Sequence, residues 1–307
     1  MVYFGRRTKE REAGACVCRV FAMARNRSDG TRIRDLDGFH SIVPYVMPKR
    51  TEAEVSSTET FDVTDLCAYL KRRNEQEGAK LKLFHAFCTA VARTIYLRPK
   101  MNIFIAGRRF WQRKDITLSF VAKQRFADEA EEVLMFLKVE PDMTLDDISR
   151  IIVGDVQKAR EQKGNDLDKT MQFVGKLPRF VLELLFGALR VFEYFGVMPQ
   201  SLSKGDPNYS TALLSNLGSI GAGAPYHHLS NYGTCSIIVT IGTCRKELRR
   251  MPDGTEAERD ILNATFSIDE RIADGFYFAK SIRIVRYLLE HPECLEAPIS
   301  RSVPVEL

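Results

Sequence analysis

The chain has no uncharged apolar run long enough to span a bilayer, no paired cysteine motif, no long basic block and no low-complexity linker. Each absence excludes something. The most membrane-like stretch, residues 177–198, carries Arg179, Glu183, Arg190 and Glu193. Four charges within ~20 residues are rare in a spanning helix. They recur at helical spacing, so the stretch predicts a mostly buried helix over 177–195 with one narrow polar stripe. An interfacial membrane contact is the lesser alternative. The seven cysteines are odd in number and scattered, and only Cys16 and Cys18 stand close together. That spacing is a weak metal signal, so no metal is expected and free thiols in a reducing cytoplasm are. A net charge of +5 without a basic stripe argues against nucleic acid and suits a small acidic partner. The N-terminus lacks the apolar segment of a secretory signal.

A chain of 307 residues, 45% of them hydrophobic, supports a sizeable core. The organisation expected is a basic, poorly ordered arm over residues 1–30, one α/β domain over 31–295, and a C-terminal tail over 296–307. Residues 1–22 are expected to add little to the fold. Phe39 to Met47 reads as a short helical or irregular segment ended by Pro48. Glu54 to Val63 alternates as a strand. Thr64 is a plausible N-cap for a helix that stops at Gly78. Leu83 to Leu97 has helical spacing and ends before Pro99. Ile103 to Phe110 and Ile116 to Ala122 read as a hairpin joined by residues 112–115. Val133 to Val139 is a further strand. The acidic first turn at 144–147 starts a helix to about Gln162. Ser210 to Ser215 reads as a strand, and the β-branched run Ser236 to Ile241 as one buried on both faces.

Residues 266–274 alternate in polarity. The pattern predicts a strand with Phe266, Ile268 and Ile272 on one face and Ser267, Asp269 and Arg271 on the other. Glu270 would then place a carboxylate on the apolar face, where an ionisable group is usually paired, protonated or functional. Asp274-Gly275 ends the strand, and a helix follows from Phe276 to Leu289. This segment resembles the His-x-x-x-Asp-Gly signature of the CoA-dependent acyltransferases. That superfamily includes chloramphenicol acetyltransferase and the catalytic core of the dihydrolipoamide acyltransferases. Asp269-Glu270-Arg271-Ile272-Ala273-Asp274-Gly275 matches the Asp-His-Arg-(aliphatic)-x-Asp-Gly form at every position but one. The position that differs is the catalytic histidine, here Glu270.

A second segment, Leu214-Ser215-Asn216-Leu217-Gly218, is similar to the (Ile/Leu)-Ser-Asn-Leu-Gly of the dihydrolipoamide acyltransferases. Read alone it is a strand-ending turn, with Asn216 and Gly218 supplying the turn conformations. Residues 218–223 have the wrong glycine order for a dinucleotide loop, and no Lys-Ser/Thr follows. The adjacent His227 and His228 are candidates for a replacement base, although neighbouring strand residues point to opposite faces and seldom ligate one ion. His40, His85 and His291 have no motif around them.

The resemblance implies a chloramphenicol acetyltransferase-like two-layer sandwich with a mixed β-sheet, assembled as a homotrimer with its sites between subunits. It further implies acyl-CoA as a substrate and an unknown small-molecule thiol, hydroxyl or amine as acceptor. Ser215 would donate to the oxyanion, Asp274 would order the site, and Glu270 would stand at the base position. Flanking Ile268 and Ile272 would desolvate that carboxylate and strengthen it as a base. Pairing with Arg34 or Arg50 would instead make it an inert structural ion. Nothing in the sequence resembles a lipoyl domain. The helix at 177–195 could line an acyl tunnel. A catalytically silent trimeric homologue, acting as a binding or scaffold protein, is the alternative function.

Overall fold

A computed structural model describes residues 27–123, 132–161, 174–199, 203 and 205–305. Strand β1 (Gly30–Arg32) precedes helix α1 (Gly38–Val46), whose first turn is capped by Asp37 accepting from the His40 amide at 2.9 Å. Strand β2 (Glu54–Asp62) leads into α2 (Thr64–Glu77). Thr64 is not the cap expected from sequence: the Asp62 carboxylate accepts from both the amide (3.1 Å) and the hydroxyl (2.7 Å) of Thr64. Gly78 ends the helix in the left-handed conformation, as its position predicts. Helix α3 (Leu83–Leu97) is the central element, buried without interruption from His85 to Ile95. Its helical spacing is borne out, and the helix is enclosed on nearly all sides.

The expected hairpin is placed differently. Residues 103–110 form two strands, β3 (Ile103–Ala106) and β4 (Arg109–Arg113), joined through Gly107 and Arg108, both at φ 58°. Positive φ at both central residues matches strand twist in a two-residue turn. A Cβ at Gly107 would run into the Tyr194 carbonyl, so glycine is also required by close approach. β4 pairs with β1 and β3 in a three-stranded sheet, whereas β5 (Ile116–Lys123) belongs to the main sheet with β6 (Glu132–Val139). Helix α4 (Leu145–Glu161) follows, its start fixed by Asp147 accepting from the Thr144 amide and hydroxyl.

Helix α5 (Arg179–Phe195) contradicts the expectation of a buried helix, since none of its residues is buried. Phe180 and Leu184 are 71% and 74% exposed. The reason lies in how the helix docks. Its stripe of charge does not all face water: Glu193 turns into the protein and pairs with Arg27 at 2.7 Å, so the apolar side is rolled outward. No described helix is long and apolar enough to cross a membrane.

Strands β7 (Ala212–Asn216), β8 (Ile237–Ile241), β9 (Arg245–Arg250) and β10 (Glu256–Asp269) complete the main sheet, and α6 (Gly275–Glu290) closes the fold. The sheet order is β2-β10-β8-β7-β5-β6, with β9 paired to the outer part of β10. β5, β7 and β8 run parallel and the other pairings are antiparallel, so the sheet is mixed. All five residues of β8 are buried, as its β-branched run predicts. Helices α2, α3, α4 and α6 pack together on one face of the sheet, giving the two layers of the expected sandwich. Arg27 is buried and lies 5.1 Å from the Phe104 ring centroid, and the Ile299 side chain is fully enclosed. The remainder of the expected arm, including Cys16 and Cys18, lies outside the described residues.

Candidate active site

β10 carries the motif region. Its even-numbered residues Leu262, Ala264, Phe266 and Ile268 enter the core under the helices. The odd-numbered Thr265, Ser267 and Asp269 are also buried, on the opposite face. The strand stops at Asp269, earlier than its alternation predicts, and residues 270–272 form a turn. A buried ion pair makes that turn. Arg271 donates Nε to Asp269 Oδ1 (2.7 Å) and Nη2 to Oδ2 (2.6 Å), and Nη1 to the Met47 carbonyl (2.6 Å). The two-pronged geometry suits a guanidinium and would be lost with lysine. Asp269 accepts a third bond from the Arg271 amide at 3.2 Å.

Glu270 is therefore exposed, not set on an apolar face. Its amide is fixed by the Ala53 carbonyl at 2.8 Å, while among the described residues its carboxylate has no hydrogen-bond or ion-pair partner. The desolvation expected from Ile268 and Ile272 is absent in the single chain, because both side chains turn into the core. Neither arginine considered as a partner reaches it. Arg50 donates to the Ile105 carbonyl (2.8 Å) and, at longer range, to that of Ser230 (3.4 Å). Asp274 is the N-cap of α6, accepting from the Tyr277 amide at 2.7 Å. Buried pair, fixed amide and helix cap together hold one carboxylate in a rigid turn at the protein surface.

Ser215 lies near the end of β7, half-buried, and its hydroxyl makes no hydrogen bond among the described residues. Gly218 follows because the chain presses against the residue just after β8: a Cβ there would collide with the Gly242 carbonyl. Sheet register places Ser215 beside Thr240, and Thr240 beside Thr265. All three side chains share the face remote from the helices, where Thr265 donates to the Ala224 carbonyl at 2.8 Å. β10 runs antiparallel to β8, so Glu270 leaves at the opposite end of the sheet from Ser215. Four residues along β10 and two strand spacings separate the Cα atoms of Ser215 and Asp269 by roughly 16 Å. One chain does not bring Ser215 and Glu270 onto one carbonyl group.

His227 and His228 are exposed loop residues, with the first ring nitrogen 3.0 Å from the backbone carbonyl of the second. They lie on no strand. Among the described residues no group of three or more metal-ligating side chains is found. His85 belongs to the core, within 2.8 Å of the Ser149 hydroxyl, and burial pushes its pKa down to about 4. Sequence reasoning missed one feature. Arg271 lines a cavity of about 250 Å³ between the end of α1, the β3–β4 turn and α5. Arg271 lies within the recognised motif, yet only tertiary contacts show that its side chain is enclosed.

Residues 198–297, which contain both motif segments, match the 2-oxoacid dehydrogenases acyltransferase (catalytic domain). The lipoamide acyltransferase component of the branched-chain alpha-keto acid dehydrogenase complex of Bacillus subtilis (strain 168) is 24% identical over 249 residues. The alignment covers 79% of this chain and 48% of that protein, so the chain spans about half the length of this curated relative. Among solved structures, a probable dihydrolipoamide acetyltransferase from Listeria monocytogenes 4b F2365 superposes with a TM-score of 0.55 at 20% identity, covering 85% of this chain and 94% of that one. The cubic core of the pyruvate dehydrogenase multienzyme complex gives 0.56 at 15% identity, with coverages of 86% and 94%. The truncated 2-oxoacid dehydrogenase catalytic core from Thermoplasma acidophilum gives 0.52 at 18%, covering 85% and 98%. The chain thus has the fold of dihydrolipoamide acyltransferase cores, and the third of it that carries both motifs matches their catalytic domain.

Proposed function

We propose that the protein is a CoA-dependent acyltransferase that works as a homotrimer, with Glu270 of one subunit and Ser215 of the next facing a shared tunnel. The observation that carries this reading is the state of Glu270. Its carboxylate is accessible and unpaired among the described residues, at the tip of a turn stiffened by the Asp269–Arg271 pair and the Asp274 cap. A structural ion would be buried and matched by a cation. The separation of Ser215 from Glu270 within one chain supports the assembly: a neighbour must supply one of them, and its surface would also shield the carboxylate from water.

In this mechanism Glu270 takes the proton from a thiol, hydroxyl or amine acceptor as that group attacks the thioester carbonyl of an acyl-CoA. The tetrahedral oxyanion is met by the Ser215 hydroxyl, which has no competing bond among the described residues. A donor aimed where charge develops contributes on the order of a hundredfold in rate. Collapse breaks the C–S bond, and the proton on Glu270 leaves with CoA as the free thiol. Asp274 acts on the reaction only by fixing the turn. A cytoplasmic setting is part of the same proposal.

Glu270→Gln keeps the shape and removes the proton acceptor. Transfer measured as CoA thiol release from a panel of acyl-CoAs is expected to fall at least ~100-fold, with the folded structure unchanged because the side chain is exposed. Wild-type turnover that survives the substitution would reject Glu270 as the base and turn attention to His227 and His228. A wild type that binds acyl-CoAs without releasing thiol would establish the catalytically silent alternative.

A further inference from the structure

The cavity beside Arg271 is lined by an unusual balance of charge. Two buried arginines, Arg50 and Arg271, line it, and Arg27 and Arg113 are buried behind them. Three acids stand among them: Asp29 and Glu193, both paired with Arg27, and Asp269, paired with Arg271. The wall itself carries Lys49, Arg50, Arg108, Arg190 and Arg271 against the single carboxylate of Glu193. Arg113 donates to the carbonyls of Tyr209 and Thr234 and to the Thr234 hydroxyl, and Arg50 to those of Ile105 and Ser230. Both are 6% exposed, lack a carboxylate partner and have an Nε without a hydrogen bond, but of the two only Arg50 lines the cavity. Burial dominates its environment and pushes its pKa down, against the attraction of Asp269 and Glu193.

An unpaired buried guanidinium is costly unless an anion meets it. Two further orphaned polar groups line the same cavity, the Tyr209 hydroxyl and Glu193 Oε2. Burial and the neighbouring Glu193 carboxylate push the pKa of the hydroxyl up, so it stays protonated and is a donor for an incoming oxygen. The rest of the wall is apolar, with Pro44, Ile105 and Leu189 among its members. Arg108 and Arg190 line the cavity while exposed to solvent, and so mark a basic entrance.

We infer that this cavity is a binding site for a small monocarboxylate with a short apolar body, its carboxylate held by Arg50 and the Tyr209 hydroxyl. The cationic wall suits an anion, and its apolar members suit a carbon body that phosphate and chloride lack. A guanidinium edge with a neighbouring hydroxyl matches the planar, two-oxygen geometry of a carboxylate. The apolar wall accommodates a few carbons behind it. The site adjoins the Glu270 turn through Arg271, which makes it a place for the carboxylate end of an acceptor; that assignment rests on the acyltransferase reading, and the binding itself does not.

The test uses the full chain without CoA. Thermal unfolding and titration calorimetry are run with the sodium salts of propionate, 3-methylbutyrate and benzoate, and with phosphate and chloride at matched ionic strength. At least one carboxylate is expected to raise Tm by roughly 2–4 °C near saturation, the effect of a ligand that binds only the native state. Phosphate and chloride are expected to do less. Arg50→Gln should abolish the effect, and Arg190→Ala and Tyr209→Phe should each weaken binding several-fold. The proposal is overturned if no carboxylate exceeds chloride, if phosphate binds best, or if Arg50→Gln binds as the wild type does. Should Arg50→Gln not fold, unchanged affinity in both other variants is equally decisive against it. Neither result bears on whether thiol is released from acyl-CoA.

Discussion

Three ionisable side chains illustrate how differently burial can act on single residues. Glu270 stands free on a rigid turn, Arg50 lies enclosed without a carboxylate hydrogen-bonded to it, and His85 is sealed inside α3. For His85 burial opposes the charged form and holds the pKa down to about 4, against about 6.5 for a free imidazole. Between those two values the unfolded chain binds a proton that the native chain does not. Stability is therefore full above pH ~6.5 and is lost as pH falls toward 4, by about 3 kcal/mol in all. His85→Gln removes the titration while keeping a polar group for the Ser149 hydroxyl. Urea melts from pH 7.5 to 4.5 should show a shallower loss in the variant than in the wild type. Parallel curves would show that His85 binds its proton equally in the native and unfolded states, against the burial effect. In the sequence His85 has no motif around it, and its role follows only from the helix that encloses it.

Among the elements, α5 is the one whose tertiary placement reverses the reading of its pattern. The charge spacing correctly predicts a helix, but it cannot say which face meets the protein. Docking through Glu193–Arg27, and through the tight contact of Gly107 with the Tyr194 carbonyl, decides that. A charge at Leu184, which is 74% exposed, is expected to change the stability of the single chain by no more than about 0.5 kcal/mol, the usual range for an exposed site. Chemical denaturation of Leu184→Glu checks this, and a loss of several kcal/mol would mean that the apolar face is covered in solution. The same helix end borders the cavity, so α5 connects the outer apolar surface to the basic interior. In β10 the departure from the expected strand has a similar origin. Alternation would carry the strand to Asp274, but the Asp269–Arg271 pair is more favourable as a turn, and it turns Glu270 outward.

At the scale of the whole molecule, the mixed sheet keeps Ser215 and Glu270 at opposite ends, which makes assembly a condition of the proposed chemistry. Two inactive variants, Ser215→Ala and Glu270→Gln, should then complement each other when refolded together as mixed trimers. If each site takes Ser215 from one chain and Glu270 from the next, random mixing restores about a quarter of wild-type sites. Activity no greater than the sum of the two variants would show that the sites do not form between chains. Light scattering that finds only monomers at micromolar concentration would remove the arrangement altogether.

The sequence by itself determined helices α2 to α6, strands β2, β5, β6, β7 and β8, and the two segments that carry the acyltransferase resemblance. Those properties are local: caps, β-branched runs and short motifs are written in neighbouring residues. Asp274-Gly275 marks a helix start and Ser236–Ile241 a buried strand, whatever surrounds them. Only the tertiary structure decided the rest. It ended β10 at Asp269, exposed Glu270, rolled the apolar side of α5 outward, drew β3 and β4 into a separate sheet, and left Arg50 facing a cavity. Each of these depends on a partner far away in the chain: Arg271 on Met47, Glu193 on Arg27, Gly107 on Tyr194, Arg50 on Ile105. Periodicity can mark a residue as polar or apolar, but the charge that will meet it is set by packing between elements.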